Sequence, residues 1–226
     1  MILGYLFILI VLFFFFYASY SIRANVYMYV FCRKQTTEKI VAITFDDGPD
    51  SIQTPKVLRI LKENNTPACF FCIGSKIKGN EQLIRQITAE GHSIGIHSYS
   101  HAWNFPLYPL KRMEADLLAC QTGLEEVSKQ PVRWFRPPFG VTNPTIAKAA
   151  RDLGYFTIGW NIRTMDTQNR TSAKVLQRIR RRLFPGSIIL LHDRLSYSDS
   201  LLTDVLALIE QEGYAIVPLK ELIKPN

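Results

Sequence analysis

Residues 39–50 read KIVAITFDDGPD. An apolar run rich in Ile and Val ends in two adjacent carboxylates and a Gly-Pro break. Such a run, bounded by turn formers, reads as a β-strand. The question is what two like charges do at its end. Asp, Gly and Pro are turn residues, so a surface turn accounts for the stretch taken alone. An active site accounts for it equally, with one carboxylate holding a metal ion and the other taking a proton. The surrounding pattern decides.

The short apolar run recurs along the chain: KIVAITF (39–45), PACFFCI (67–73), HSIGIH (92–97), VRWFRP (132–137), YFTIGW (155–160), SIILLH (187–192) and YAIVPL (214–219). Longer amphipathic segments fill the gaps, at 79–90, 109–128, 143–153, 172–183 and 199–212. Gly91, Gly154 and Gly213 stand just past such segments, as helix C-termini favour. Alternation of this kind means parallel strands joined by crossover helices. Seven such units in roughly 185 residues imply an α/β barrel or an incomplete one, with an open doubly wound sheet as the alternative.

Chemistry-bearing residues stand at five of the strand ends: Asp46-Asp47, His97 with His101, Arg136 to Gly140, Asp166 after Trp160, and His192-Asp193. In a parallel barrel these ends meet at one rim, where active sites are built. Independent surface turns do not repeat that placement five times. Two imidazoles four residues apart reach one side of a helix or tight loop. With one carboxylate of the Asp46-Asp47 pair they supply three ligands and leave open positions, as a catalytic metal site requires. Nitrogen and oxygen donors suit Zn²⁺, and also Co²⁺, Ni²⁺ or Mn²⁺. His92 begins its strand at the opposite end of the barrel and is read as structural.

The segments TFDDG (44–48), HSYSH (97–101), RPPFG (136–140) and LLHD (190–193), in this order and spacing, resemble the polysaccharide deacetylases. These form a carbohydrate esterase family (family 4) built on the NodB homology domain, shared with nodulation chitooligosaccharide deacetylases. The resemblance covers about residues 39–223. It implies a distorted, seven-stranded (β/α) barrel of TIM-barrel type. It also implies removal of N-acetyl or O-acetyl groups from glycans such as chitin-like oligomers, peptidoglycan or xylan, with a divalent metal, usually zinc.

Carried over residue by residue, the resemblance makes Asp47, His97 and His101 metal ligands, Asp46 the general base and His192 the general acid. Arg136 orients the base, and Asp166 orients His192 and favours its charged form. Phe139 stands where the family has Tyr, and its backbone N–H helps hold the oxyanion. One motif departs. The family reads roughly D-x-x-D-W, whereas this chain has Arg163, Thr164, Met165, Asp166 and Thr167. The groove wall made by Trp is missing, and Arg163 is placed to meet an anionic group on the substrate. Trp103 offers a sugar-stacking face, or else packs.

Composition frames these readings. The chain has 226 residues, enough for one domain after an N-terminal appendage, and its 47% hydrophobic and 12% aromatic content excludes a disordered chain. Net charge is +8, partly concentrated in RIRRRL at 178–183. That run reads first as a solvated helix end with cations near its C-terminal dipole, and second as attraction to an anionic lipid or acidic polymer. No motif for nucleic acid accompanies it. Cys69 and Cys72 form a C-x-x-C within an apolar strand. Alternation sends residues three apart to opposite faces, so both read as small buried hydrophobes.

Residues 1–22, MILGYLFILIVLFFFFYASYSI, carry no charged side chain. As a helix they extend about 33 Å and read as an uncleaved transmembrane anchor. Residues 23–38 then read as a juxtamembrane linker, with VYMYVFC (26–32) near the interface, before the domain at 39–223. Arg23, Arg33 and Lys34 follow the span, which by the positive-inside rule favours a cytoplasmic domain. The resemblance favours the envelope side, where such glycans lie. The sequence therefore leads to a membrane-anchored, metal-dependent deacetylase of an acetylated glycan or glycolipid. The alternatives are a carbohydrate- or metal-binding pseudoenzyme of the same fold, and a metal phosphatase, which would need more carboxylates or a second metal.

Overall fold

The computed structural model describes residues 2–169 and 171–224, with side chains from residue 4. Helix α1 (Ile2–Tyr20) comes first. The barrel units follow as β1 (Ile40–Asp46), α2 (Gln53–Glu63), β2 (Ala68–Cys72), α3 (Glu81–Ala89), β3 (Ser93–Ile96), α4 (Leu110–Ser128), β4 (Trp134–Phe135), α5 (Pro144–Asp152), β5 (Phe156–Thr157), β6 (Ile162–Arg163), α6 (Ser172–Arg182), β7 (Ser187–His192), α7 (Ser198–Gln211), β8 (Ala215–Ile216) and α8 (Leu219–Ile223). Short 3₁₀ turns lie at Gly74–Lys76, Phe105–Leu107 and Pro138–Gly140.

All strand pairings are parallel, in the order β5-β4-β3-β2-β1-β7-β6. The sheet curls into a distorted, incomplete (β/α) barrel of seven strands. β1 lies between β2 and β7 and pairs with β7 along its length, from Val41 opposite Ser187 to Asp46 opposite His192. That register sets the two most chemical strand ends side by side. The seventh expected strand, 214–219, is reduced to the two residues of β8, which pair only with Ile40 and Val41 at the foot of β1. The seventh place in the curl goes instead to β6, a two-residue strand too short to show alternation. Asp166 follows β6, not the YFTIGW run to which it was assigned.

Two apolar layers hold the sheet. Outside, Ile43, Phe45, Phe70 and Cys72 pack under α2, α3, α4 and α7. Inside, Ala42, Cys69, Phe71, Ile188 and Leu190 fill the barrel together with Leu219 and Leu222 of α8. Cys69 and Cys72 thus fall in different layers, both free and fully buried, as strand alternation requires. Burial drives both thiols well above their ordinary pKa, which suits inert core residues. His92, buried where β3 begins, accepts the Ala68 N–H at 3.2 Å and serves structure.

The seam between β5 and β6 is the place where the barrel fails to close, and the N-terminal segment fills it. Phe31 bridges Ile158 and Arg33 bridges Ser187. Phe31 N–H donates to Thr157 O at 3.0 Å, Gly159 N–H to Phe31 O at 2.9 Å and Lys34 N–H to Gly186 O at 3.0 Å. Ile22 and Val30 insert into the inner layer. Residues 30–34 therefore pack onto the barrel, whereas Val26 and Tyr29 remain exposed. The exposed backbone edge of a short, unpaired strand needs partners, and this segment supplies them.

The 22-residue span is corrected too. Among the described residues no helix is long and apolar enough to cross a membrane; Met1 lies outside them. α1 stops at Tyr20, and its last turn is fastened to the domain. Ala18 is fully buried, and Thr142 donates its hydroxyl to Ala18 O at 3.1 Å and its N–H to Ser19 O at 2.9 Å. The apolar length left over, residues 2 to 17, is about 24 Å, short of a hydrocarbon core of about 30 Å.

Candidate active site

Strand geometry alone would aim Asp46 and Asp47 to opposite faces. The chain avoids this by leaving the strand at once: Asp47 adopts φ 71, in the left-handed region. Gly48 then packs so closely on Asp193 that a Cβ there would lie 2.3 Å from its carboxylate oxygen. Both carboxylates turn into one pocket at the C-terminal rim, of about 190 Å³. Asp46, Asp47, His97, His101, Phe139, Arg163 and His192 line it.

Asp46, 3% exposed, is gripped by Arg136, whose Nη1 lies 2.6 Å from its Oδ1. Arg136 has no exposed surface. Its remaining donors go to Thr44 Oγ1 at 2.8 Å, Ile158 O at 3.2 Å and Gly159 O at 2.8 Å, and its plane lies 4.0 Å over the Phe71 ring. A surface ion pair is thereby excluded. This guanidinium is fixed from all sides and fixes Asp46 in turn.

His97 and His101 converge on the other carboxylate. The loop between them is not helical: Ser98 (φ 63) and His101 (φ 44) both turn left-handed. Asp116 of α4 ties it down, accepting from Tyr99 N at 2.7 Å and Ser100 N at 3.1 Å. Asp47 Oδ1 lies 3.5 Å from His97 Nε2 and 3.3 Å from His101 Nε2. One ligand atom from each of the three falls within 4.8 Å of the others. His97 Nδ1 sits 2.8 Å from Arg136 O. A carbonyl can only accept, so Nδ1 carries the proton and Nε2 presents its lone pair to the cluster, as metal-bound imidazoles do. Burial, then the neighbouring His97, push the His101 pKa down to about 4, so at neutral pH it too offers a lone pair. Two imidazoles and a carboxylate converging on one point fit a divalent ion.

Across the pocket, His192 is held by Asp166. The fully buried carboxylate accepts His192 Nδ1–H at 2.8 Å through Oδ1 and the His192 backbone N–H at 2.8 Å through Oδ2. The Tyr197 hydroxyl donates to Asp166 O, fixing the loop. Burial opposes the charged form of His192, but the hydrogen bond and charge of Asp166 outweigh it, and the pKa is raised. His192 Nε2 is left facing the pocket, 3.9 Å from Asp47 Oδ2.

The remaining expected residues divide. Phe139 sits at φ 62 in its 3₁₀ turn, its ring 4.8 Å from that of His101. Arg163 and Thr167 line the pocket where the family's Asp and Trp would stand. Trp103 does not: it stands 82% exposed in the 99–107 loop, outside the pocket, and the aromatic wall is Trp160. Four residues were given no role by the sequence. Arg194 donates Nε–H to Asp47 Oδ2 at 2.9 Å, and Lys76 donates to Asp47 O at 2.7 Å. Asp193 is fully buried behind Asp47, accepting Thr54 Oγ1–H at 2.5 Å. Asp116 holds the His101 loop. Only Asp193 and Arg194, beside His192, stood near a recognised motif.

Comparison with known proteins agrees with this geometry. Residues 33–158 match the sequence profile of the polysaccharide deacetylase family. A peptidoglycan-N-acetylglucosamine deacetylase of Bacillus cereus is 34% identical over 201 residues, 87% of this chain and 93% of its own. The peptidoglycan-N-acetylmuramic acid deacetylase PdaA of Bacillus subtilis is 30% identical over 192 residues, 83% of this chain and 73% of its own. Its solved structure superimposes with a TM-score of 0.77 over 86% of this chain and 84% of that one, at 27% identity. A family 4 carbohydrate esterase pseudoenzyme of Bacillus anthracis gives 0.78 over 85% and 68%, at 28% identity. The chain belongs to the polysaccharide deacetylase family and is a hydrolase acting on carbon–nitrogen bonds other than peptide bonds.

Proposed function

We propose that this protein removes N-acetyl groups from a peptidoglycan-type glycan, with Asp46 and His192 as the proton-transferring pair. One observation carries the reading: the Arg136–Asp46 and Asp166–His192 pairs flank the Asp47, His97 and His101 cluster in a single pocket. Asp47, His97 and His101 would hold a divalent ion, with zinc favoured by the two-nitrogen, one-oxygen donor set and Co²⁺, Ni²⁺ or Mn²⁺ accommodated by it. When bound, such an ion polarises a carbonyl and acidifies water.

The residues then divide the work. Asp46, anchored by Arg136, takes a proton from the attacking water. The Phe139 backbone N–H donates to the oxygen of the tetrahedral intermediate. His192 Nε2 gives its proton to the departing amine nitrogen as the C–N bond breaks, leaving a free amino sugar and acetate. Asp166 keeps Nδ1 protonated and the ring aimed at the pocket. Ester substrates would be cleaved by the same steps.

A pseudoenzyme reading is less economical, because every group the reaction needs is present and converges. A two-metal phosphatase lacks its second cluster: among the described residues a single candidate metal group is found. Acetate release from peptidoglycan and from chitooligosaccharides, with and without chelator, tests the proposal. Release from neither substrate by metal-loaded protein overturns it.

The surroundings of the domain follow from α1. Its side chains Tyr5 to Leu9 and Leu12 to Tyr17 are about half exposed or more, an apolar rod with no polar face. We propose that lipid covers this rod and that the docked last turn holds the domain against the outer face of the membrane. Fusion of alkaline phosphatase after residue 36 checks the side: an active reporter in the membrane fraction is expected, and an inactive one reverses the orientation.

A further inference from the structure

A second groove, of about 480 Å³, opens beside α6, and its walls include Met165, Lys174, Arg178, Arg181 and Arg182. Four of its eight lining residues are cations, the others being Met165, Gln168, Asn169 and Gln177, and no carboxylate lines it. Among the described residues none of the four is in an ion pair, whereas Arg180 on the same helix is matched by Glu212 at 2.8 Å and Gln211 at 3.0 Å. A solvated helix end explains outward-pointing arginines. It does not explain why the neutralised arginine is the one outside the groove and the four unneutralised cations are the ones lining it.

The groove is tied to the active site. Arg178 donates Nε–H to Arg163 O at 2.6 Å, and the Arg163 side chain lines the catalytic pocket together with Arg194. Cationic groups therefore follow one another from the pocket to the far end of α6. They crowd one another: burial first, then the charges of Arg182 and Arg163, press the Arg178 pKa below its ordinary value. An anion lying in the groove relieves that repulsion.

We propose that the α6 groove is a subsite for the anionic flank of an extended substrate, a glycan strand carrying carboxylates at intervals, which reaches the catalytic pocket past Arg163 and Arg194. This rests on the deacetylase reading above. A strand is favoured over a lipid surface because the cations line a concavity that Arg178 joins to the pocket residue Arg163, and a bilayer touches convex faces. Charged groups spaced along the strand would then set the register of the acetamido group over Asp46 and His192.

The test uses the metal-loaded protein and a triple variant, Lys174→Ala, Arg181→Ala and Arg182→Ala. These three side chains are exposed and hold no backbone. Acetate release is followed on soluble peptidoglycan glycan strands stripped of their stem peptides, which carry free lactyl carboxylates, and on a neutral chitooligosaccharide of equal length. The variant should raise KM for the anionic strand about tenfold, equivalent to about 1.4 kcal/mol, with kcat unchanged and the neutral substrate unaffected. The wild-type advantage on the anionic strand should shrink with added salt. Equal effects on both substrates, or none, overturn the proposal. So does loss of binding to anionic lipid vesicles without a change in KM. Titration of labelled strands onto both proteins decides the groove even if neither substrate is turned over, which would count only against the deacetylase reading.

Discussion

Arg136 Nη1 and Asp46 Oδ1 meet at 2.6 Å in a place that water does not reach on the arginine side. The arginine comes from the loop after β4 and the aspartate from the end of β1, 90 residues earlier. The contact therefore ties two strand ends together as well as orienting a base. The two roles separate by mutation. Arg136→Ala leaves a buried carboxylate uncompensated and three acceptors bare, and should cost roughly 3–5 kcal/mol of stability. Asp46→Asn keeps the shape and an oxygen for Arg136, so it should cost less stability than Arg136→Ala although it leaves the guanidinium without its counter-charge, and it should lower kcat by about two to four decades. Denaturant melts and acetate-release kinetics on both variants check this, and near-full turnover by Asp46→Asn removes the base assignment.

The ligand cluster predicts metal affinity directly. His101→Ala should weaken binding of Zn²⁺ by at least about ten- to a hundredfold, since losing a ligand costs no less than losing the group behind one. The Asp116→Ala change, which frees the 98–101 loop without touching a donor, should weaken it by a smaller factor. Titration calorimetry on apo protein measures both. Unchanged stoichiometry and affinity in the His97→Ala, His101→Ala double variant would sink the site.

The pH–rate profile follows from His192. In the proposed mechanism its acid form is the competent one, and Asp166 raises its pKa, so activity should fall on an alkaline limb lying above the ordinary histidine value of 6.5. Asp166→Asn removes the charge and keeps an oxygen for His192 Nδ1–H, while giving up the hydrogen bond from the His192 backbone N–H. The limb should then move to lower pH, and kcat near neutrality should drop. A limb that stays in place in the variant assigns the alkaline pKa to another group.

Asp193 predicts a pH-dependent stability. Burial, opposed by the Thr54 hydrogen bond and aided by the charge of Asp47, raises its pKa from 3.8 to about 7. Below pH 4 the carboxyl is neutral in the folded and unfolded chain alike. Between about 4 and 7 the unfolded chain releases the proton and the folded one retains it, so stability falls as pH rises through this window. Asp193→Asn, with the same shape and an oxygen still available to Thr54, should remove the fall. Its Tm advantage over wild type should be larger at pH 8 than at pH 4, and an equal difference at both argues that Asp193 is neutralised by a partner.

Chain-local physics determined much of this protein. β-Branched runs between glycines and amphipathic segments specify parallel strands and crossover helices, and parallel strands place their C-terminal ends on one rim. The catalytic types at those ends, Asp46, Asp47, His97, His101, Arg136, Asp166 and His192, were therefore legible, as was the separation of Cys69 and Cys72 into opposite layers. Short-range pattern could not give what depends on meeting distant chain. β6 has two residues, below any period. The seam that residues 30–34 fill exists only once β5 and β6 fail to pair. α1 looked like a full span until Thr142, more than a hundred residues away, captured its last turn. Arg194 and Asp116 show nothing in sequence beyond a charge, and Asp193 nothing beyond its place in LLHD. Only the fold sets Arg194 and Asp193 against Asp47 or its turn, sets Asp116 under the His101 loop, and leaves Trp103 in solvent while Trp160 forms the wall. Periodicity reports which face of an element is apolar; which elements touch is a sum over the whole packed chain.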